Sequence, residues 1–210
     1  MNNLLKIYHT LYQFFGPQYW WPGDTPFEIA VGAILTQNTN WGNVEKAINN
    51  LKKEKALNPK AIHKMPISRL ALLIKPAGYF NVKAKRLKSF IKFLMNEYRG
   101  SMSKMKKEDT NSLREKLLSI NGVGPETADS ILLYALEKPV FVVDAYTKRV
   151  LSRHGIMEHD KPYEIFQELF ISSLKRDARL FNEYHALIVR VGKTFCKRRE
   201  PLCEICPLKS

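Results

Sequence analysis

Residues 113–150 read LREKLLSINGVGPETADSILLYALEKPVFVVDAYTKRV, and this stretch decides the fold. Apolar residues recur at helical spacing on both sides of a glycine-containing segment, which predicts two helices joined by a tight turn. The turn, residues 121–125, contains two glycines, which permit tight backbone geometry, and Pro125, which suits a first helical turn. Further along, an apolar run over residues 140–143 ends on Asp144, directly before another predicted helix.

The turn and the aspartate together indicate chemistry on a nucleic acid. Backbone N–H groups that point outward at the start of a helix form an anion site that suits a DNA phosphate. Asp144 follows on the same segment of chain, so the scaffold that would hold the phosphate also orients a carboxylate. A glycine turn alone is weak evidence for DNA binding, whereas the complete block in this order is far more specific.

The complete block resembles the helix-hairpin-helix motif, the Gly/Pro-rich loop and the aspartate of the endonuclease III superfamily of DNA glycosylases. Residues 34–39 (ILTQNT) look like the loop with which this family enters the duplex. Residues 78–85 (GYFNVKAK) look like its tyrosine-asparagine-lysine-alanine segment, and His185 with the cysteine tail matches its C-terminal part. The resemblance therefore covers most of the chain.

Helical periodicity along the chain predicts an all-α protein with short connections. The predicted helices are 4–15, 26–35, 41–53, 59–74, 82–98, the two helices of the hairpin block, 147–154, 162–173 and 177–191. The lobes that the resemblance implies are a helical barrel at residues 26–140, with the helix-hairpin-helix at 113–136, and a second lobe from residues 1–25 and 141–210. It also implies a DNA-binding cleft between these lobes, which Glu126 and Asp144 both face.

The composition points to a polyanionic partner. The chain has 34 Lys and Arg residues against 20 Asp and Glu residues, which gives a formal net charge of +14, and binding to phosphates releases counterions. A generally basic protein without such a partner would show the same charge. No apolar run is long enough to span a bilayer, the first residues lack a secretory pattern, and the three cysteines do not resemble a disulfide framework. We therefore expect a cytoplasmic, nucleoid-associated monomer that binds double-stranded DNA with a damaged base and no membrane.

Asp144 is the predicted catalytic residue. Breaking an N-glycosidic bond builds positive charge on the sugar, and a fixed carboxylate stabilises that charge or orients the attacking water. An aspartate directly before a helix is also a good N-cap, and position alone favours that role. The resemblance assigns Asp144 the place of the family's aspartate, and both roles are compatible.

Glu126 carries the sharpest inference about the reaction. The resemblance implies that bifunctional members place a lysine at this point of the hairpin, where its amine forms a Schiff base with the sugar before strand cleavage. A carboxylate cannot form an imine, so we expect a hydrolase with weak or absent lyase activity. Glu126 either contacts the flipped base or favours the first helical turn through the helix dipole. Lys148 and Lys193 are the alternative amines.

Trp20, Trp21 and Trp41 are all the tryptophans of the chain, and they are candidates for a base pocket. A glycosylase extrudes its target base, and a cationic base such as N3-methyladenine is attracted to an aromatic face by roughly 0.5–2 kcal/mol. Residues 19–22 (YWWP), the ILTQNT run and the hairpin glutamate resemble the 3-methyladenine glycosylase branch of the superfamily. Carried over from that branch, Trp41 and Trp20 sandwich the base. The alternative is that Trp20 and Trp21 pack within a lobe.

The other predicted DNA-binding residues lie in the first loop and the hairpin: Asn38, Gln37, Gly122, Val123, Gly124 and Thr127. Asn38 occupies the place where the family inserts a polar side chain into the gap left by the flipped base, and Gln37 is an equal candidate. A helix C-cap is the other interpretation of Asn38. A basic patch that either follows the DNA backbone or forms a solvated face comprises Lys83, Lys85, Arg86 and Lys88.

Cys196, Cys203 and Cys206 have the spacing of the first three cysteines in the superfamily's iron–sulfur pattern. The fourth cysteine of that pattern would fall at position 212, whereas the sequence has 210 residues. A missing final segment, a non-cysteine ligand or a decayed site would each explain this, and zinc with water or His185 as fourth ligand is a further option. The resemblance implies a [4Fe–4S] cluster that orders the basic loop at residues 197–199 against phosphate.

These features predict a base-excision-repair DNA glycosylase that hydrolyses the N-glycosidic bond of a flipped, damaged, alkylated purine. One alternative is an enzyme of the same fold that acts on mismatched uracil or thymine, or on an oxidised pyrimidine. The other alternative is a non-catalytic protein that binds DNA structures through the helix-hairpin-helix alone.

Overall fold

The computed structural model describes residues 3–209, which form α-helices with short connections and contain no strand. The expectation of an all-α protein is confirmed. The helices are α1 Asn3–Phe15, α2 Pro26–Leu35, α3 Trp41–Lys53, α4 Pro59–Lys64, α5 Ile67–Leu73, α6 Phe80–Tyr98, α7 Met102–Lys106, α8 Thr110–Leu118, α9 Pro125–Ser130, α10 Ala145–Arg153, α11 Tyr163–Ser173 and α12 Ala178–Thr194. Short 3₁₀ turns lie at Lys75–Ala77 and Cys203–Ile205, and a π-helical segment, Ile131–Ala135, follows α9.

The chain divides into two compact units. The hairpin unit runs from Pro22 to Lys138, and the terminal unit combines the two ends of the chain, up to Trp21 and from Pro139 onwards. The barrel and second-lobe bounds taken from the resemblance stay a prediction. Within residues 3–209, no helix is both long and apolar enough to cross a membrane.

Helix α2 forms the centre of the hairpin unit. It packs against α3, α6, α9 and the π-helical segment, and Val31, Ile34 and Leu35 are completely buried. A helix that is apolar on every side is stable only inside a core. The helix begins at Pro26 because the side chain of Thr25 accepts a hydrogen bond from the Glu28 amide at 3.1 Å.

Helix α12 organises the terminal unit, where it packs against α10 and α1. The Tyr184 hydroxyl donates to the carbonyl of Leu4 at 2.8 Å, which fixes the first helix on the last one. Helix α10 packs closely against α12 only because residue 192 is glycine, since a Cβ atom at this position would lie 2.6 Å from the Tyr146 ring. The two chain ends therefore share one core.

One helix differs from its predicted bounds, and the structure adds two local features for which the sequence analysis made no prediction. The helix predicted over residues 59–74 is two helices, because Pro66 has no N–H to continue the first one and Met65 is extended. The connector at residues 100–110 contains α7, which Ser101 caps. Residues 140–143 are buried without a sheet, and side chains bond their backbone: Gln167 Nε2 donates to Phe141 O at 2.7 Å, and the Val143 amide donates to Tyr163 Oη at 3.3 Å.

Candidate active site

The predicted helix-hairpin-helix is present and consists of α8, the turn and α9. Gly122 has φ +86°, and a Cβ atom there would lie 2.2 Å from Arg86 Cγ, so the turn requires glycine on both conformational and steric grounds. Gly124 is the N-cap of α9 and Pro125 its first residue. The side chains of Val123 and Thr127 are buried, and the Val123 amide donates to Ile120 O at 3.0 Å within the turn.

A charged hydrogen-bonded pair holds the two hairpin helices together. Arg114 of α8 donates to both carboxylate oxygens of Asp129 in α9, at 2.7 and 3.0 Å. Asp129 is completely buried, whereas about a fifth of the Arg114 side chain (21 %) is exposed. A bidentate pair fixes the relative orientation of the two side chains as well as their distance. It therefore sets the angle between α8 and α9 on either side of the turn.

The Gln37 side chain points toward the hairpin and is hydrogen-bonded to it. Its Nε2 donates to Gly122 O at 3.0 Å and to Thr127 Oγ1 at 2.9 Å, and Arg86 donates to its Oε1 at 2.5 Å. These bonds occupy both ends of the Gln37 amide. Asn38, by contrast, is exposed and has φ +53°. Of the two candidates for entry into DNA, the geometry favours Asn38.

Two of the four residues in the basic patch predicted at the start of α6 bind backbone carbonyls of the hairpin unit. Lys83 is buried, and its Nζ donates to Leu35 O at 2.9 Å and Ala77 O at 2.7 Å. Burial and the Arg86 charge lower the pKa of Lys83 to about 8. Lys88 Nζ donates to two carbonyls at the end of α4. Sequence reasoning missed these roles, because a lysine that satisfies backbone carbonyls has the same local pattern as a solvated one.

The Lys83 bonds join two loops that carry exposed residues. Leu35 precedes the loop that contains Asn38, and Ala77 precedes Tyr79, which is 72 % exposed and has φ +44°. An exposed aromatic in the left-handed region is uncommon and indicates a functional constraint. Sequence reasoning did not select Tyr79; its position directly after Gly78, before a helix, was the available signal.

Asp144 is the N-cap of α10 in the terminal unit. Its Oδ1 accepts hydrogen bonds from the Thr147 amide at 2.7 Å and from Thr147 Oγ1 at 3.0 Å, while Oδ2 lies 3.6 Å from His185 Nε2. Burial acts to raise the pKa of Asp144, but His185 and the Thr147 hydrogen bonds outweigh it. The pKa therefore lies below its ordinary value, and the carboxylate is ionised at neutral pH.

The aromatic candidates are divided between the two units, and so are the two acidic candidates. Trp20 and Trp21 lie in the terminal unit, half-buried and edge-on at 5.4 Å, with Lys193 Nζ 5.8 Å from the Trp20 ring centroid. Trp41 begins α3 in the hairpin unit and is also half-buried. Glu126 is exposed in the first turn of α9, where a negative charge also suits the helix dipole.

The three cysteines line one cavity of about 360 Å³, together with Arg153, His154, Phe195, Glu204 and Lys209. Within residues 3–209, no three His, Cys, Asp or Glu side chains converge as they would around a single metal ion. His185, considered above as a zinc ligand, does not line this cavity and lies beside Asp144 instead. Arg153 orders the neighbouring loop by donating to Lys197 O at 2.6 Å and Arg198 O at 3.0 Å.

Residues 31–176 match the HhH-GPD superfamily base excision DNA repair protein family. The chain belongs to this superfamily. It is 52 % identical to a protein of Methanocaldococcus jannaschii, provisionally named a DNA repair glycosylase, over 98 % of the chain and 94 % of that relative. It is also 32 % identical to endonuclease III of Thermotoga maritima, over 88 % of the chain and 81 % of the relative.

The solved structure of a DNA glycosylase is similar as well. The 3-methyladenine DNA glycosylase MagIII of H. pylori, bound to 1,N6-ethenoadenine, superposes with a TM-score of 0.78 at 30 % identity. The match covers 90 % of this chain and 97 % of that one. The resemblance to the endonuclease III superfamily of base-excision-repair glycosylases inferred from the sequence is thereby confirmed.

Proposed function

We propose that this HhH-GPD protein is a monofunctional DNA glycosylase, which hydrolyses the N-glycosidic bond of a flipped, alkylated purine in duplex DNA. The observation that carries the proposal is the largely buried carboxylate of Asp144, which Thr147 holds with two hydrogen bonds. Glu126 lies in the first turn of α9, at the place that the resemblance assigns to the Schiff-base lysine, and supports the monofunctional part. The similarity to a 3-methyladenine glycosylase that binds ethenoadenine supports the lesion class.

Asp144 supplies the chemical step. As the bond to the base breaks, the sugar becomes cationic, and a pre-oriented carboxylate stabilises that charge or orients the water that attacks C1′. The leaving base departs with the bonding electrons, and water provides the new C1′–O bond. Thr147 holds Oδ1 with two hydrogen bonds, so the carboxylate needs little reorganisation during the reaction.

The DNA-binding groups act before that step. The backbone N–H groups of Gly122 and Gly124, together with those at the start of α9, bind a phosphate of double-stranded DNA. Asn38 fills the space left by the extruded base, and the exposed Tyr79 ring supports the neighbouring base pair by stacking. On the resemblance to the 3-methyladenine glycosylase branch, the residues that we propose to stack on the extruded base are Trp20 and Trp41.

The first test is base release from methylated duplex DNA, with borohydride trapping of any imine in parallel. We expect 3-methyladenine to be released without a trapped protein–DNA adduct. A trapped adduct would mean that a lysine serves as nucleophile, with Lys148 and Lys193 as the candidates, and would contradict the monofunctional assignment. Release of mismatched uracil or thymine, or of oxidised pyrimidines, in place of methylated purines would contradict the lesion class. DNA binding without any base release would show a non-catalytic protein.

The cysteine cavity is the site that we propose for the iron–sulfur cluster implied by the resemblance. Its lining contains three thiols, and cysteine thiolates are the usual ligands of such clusters. Cys196, Cys203 and Cys206 would hold three of its irons, and His154 and Glu204 line the same cavity. When bound, a cluster would hold the basic loop at residues 197–199 for phosphate contact, together with the hydrogen bonds from Arg153.

Iron and acid-labile sulfide in anaerobically purified protein test this cofactor. We expect about four irons per chain, the content of a [4Fe–4S] cluster, and a clear loss of iron in Cys203→Ser because a thiolate ligand is removed. Bound zinc without sulfide would contradict the cluster. Cys203 is exposed, so the variant is expected to fold, and circular dichroism serves as its control.

A further inference from the structure

The two oxygens of Asp144 have different partners within the terminal unit. Thr147, from α10 itself, donates twice to Oδ1 and thereby accounts for the helix cap. His185 comes from α12 and faces Oδ2, with Nε2 at 3.6 Å. That separation is longer than a neutral hydrogen bond and within the range of an ion pair. The cap therefore does not need His185.

Packing does not need an imidazole at residue 185 either. His185 is 4 % exposed and lies next to apolar neighbours, with its ring edge-on to Phe141 at 6.3 Å between centroids. Leu187 and Ile188 of the same helix are completely buried without any polar group. Burying a polar ring costs free energy unless a partner compensates it, and the partner on this side is the carboxylate of Asp144.

We propose that His185 is a positioning residue for the reaction, which holds Oδ2 of Asp144 so that the carboxylate stays ionised and correctly aimed. This inference rests on the proposed function, because Asp144 is the residue that the histidine serves. His185 touches neither the sugar nor the base in this role. At 3.6 Å it orients the carboxylate and leaves lone pairs of Oδ2 available for the cationic sugar or its water.

Two amide variants separate this role from simple packing. The amide nitrogen of His185→Gln reaches about as far as imidazole Nε2, whereas that of His185→Asn reaches only as far as Nδ1. Both amides are polar and uncharged, so the free-energy cost of burying them in the core is similar. We measure single-turnover base release against pH, DNA affinity and thermal unfolding for both variants.

We expect His185→Asn to move the acid limb of the pH–rate profile to higher pH. Activity requires the ionised carboxylate of Asp144 and falls as the pH drops through the pKa of that group. Because His185 favours the ionised carboxylate, its loss raises this pKa and narrows the pH range of activity. Base release at acidic pH is expected to fall roughly tenfold or more in His185→Asn. The loss in His185→Gln is expected to be smaller, because its amide reaches Oδ2 as a neutral donor although it carries no charge. DNA affinity stays unchanged in both. His63→Ala, an exposed histidine of the hairpin unit, is the control and leaves the profile unmoved.

Superimposable acid limbs for the Gln and Asn variants overturn the role of His185, even if both are less stable than wild type. A carboxyl-¹³C NMR titration of Asp144 gives the same comparison without turnover. If the wild type releases no alkylated base, the proposed function fails, yet the titration still decides whether His185 acts on Asp144. Equal titration of Asp144 in wild type and His185→Asn excludes the pairing.

Discussion

Asp144→Asn is expected to slow base release by about 100-fold or more while DNA affinity stays intact or rises slightly. Asparagine is as good an N-cap as aspartate, so the acceptor for the Thr147 amide is retained and α10 keeps its start. What disappears is the negative charge that stabilises the cationic sugar or activates water. Removal of a negative charge close to a phosphate backbone does not weaken DNA binding.

The chain offers a matched control for this change. Asp177 also caps a helix of the terminal unit, where it accepts from the Arg179 and Leu180 amides at 2.8 and 3.0 Å. Asp177→Asn makes the same substitution at the same structural position without touching the proposed site, and we expect wild-type turnover. The measurement is single-turnover release from methylated duplex DNA, with affinity measured on abasic DNA. Turnover by Asp144→Asn equal to that of Asp177→Asn would remove Asp144 from the mechanism.

Arg114→Met is expected to lower the free energy of unfolding by roughly 3–5 kcal/mol, because it leaves the Asp129 carboxylate buried without its bidentate partner. Methionine fills much of the same space, so the decrease in the free energy of unfolding reflects the missing charge and not a cavity. The helix-hairpin-helix depends on this pair for the angle between α8 and α9. We therefore also expect weaker DNA binding from Arg114→Met at temperatures where it remains folded.

An exposed pair in the same unit is the control for stability. Arg69 lies 2.9 Å from Glu54, with about half of each side chain exposed, and Arg69→Met is expected to cost no more than about 0.5 kcal/mol. Urea unfolding of both variants, followed by circular dichroism, gives the comparison. Similar losses for the two variants would mean that the buried pair does not hold the hairpin.

Local features of this protein could be predicted well from the sequence. The hairpin turn at residues 121–125, the helices on either side of it and the cap at Asp144 are encoded by neighbouring residues, whose conformational preferences act over one or two helical turns. The break at Pro66 is equally local, although helical periodicity alone concealed it. The all-α class follows from the same short-range patterns.

What a side chain contacts across the fold could not be predicted in this way. The sequence alone determined the all-α fold class, the hairpin and the residue types at Asp144 and Glu126, because short-range backbone preferences and motif order are written in adjacent positions. Only the tertiary structure decided that Lys83 is buried, that Gln37 bonds to the hairpin and that His185 faces Asp144. These contacts join residues far apart in the chain, and packing selects them through burial and hydrogen-bond satisfaction, which no local pattern records.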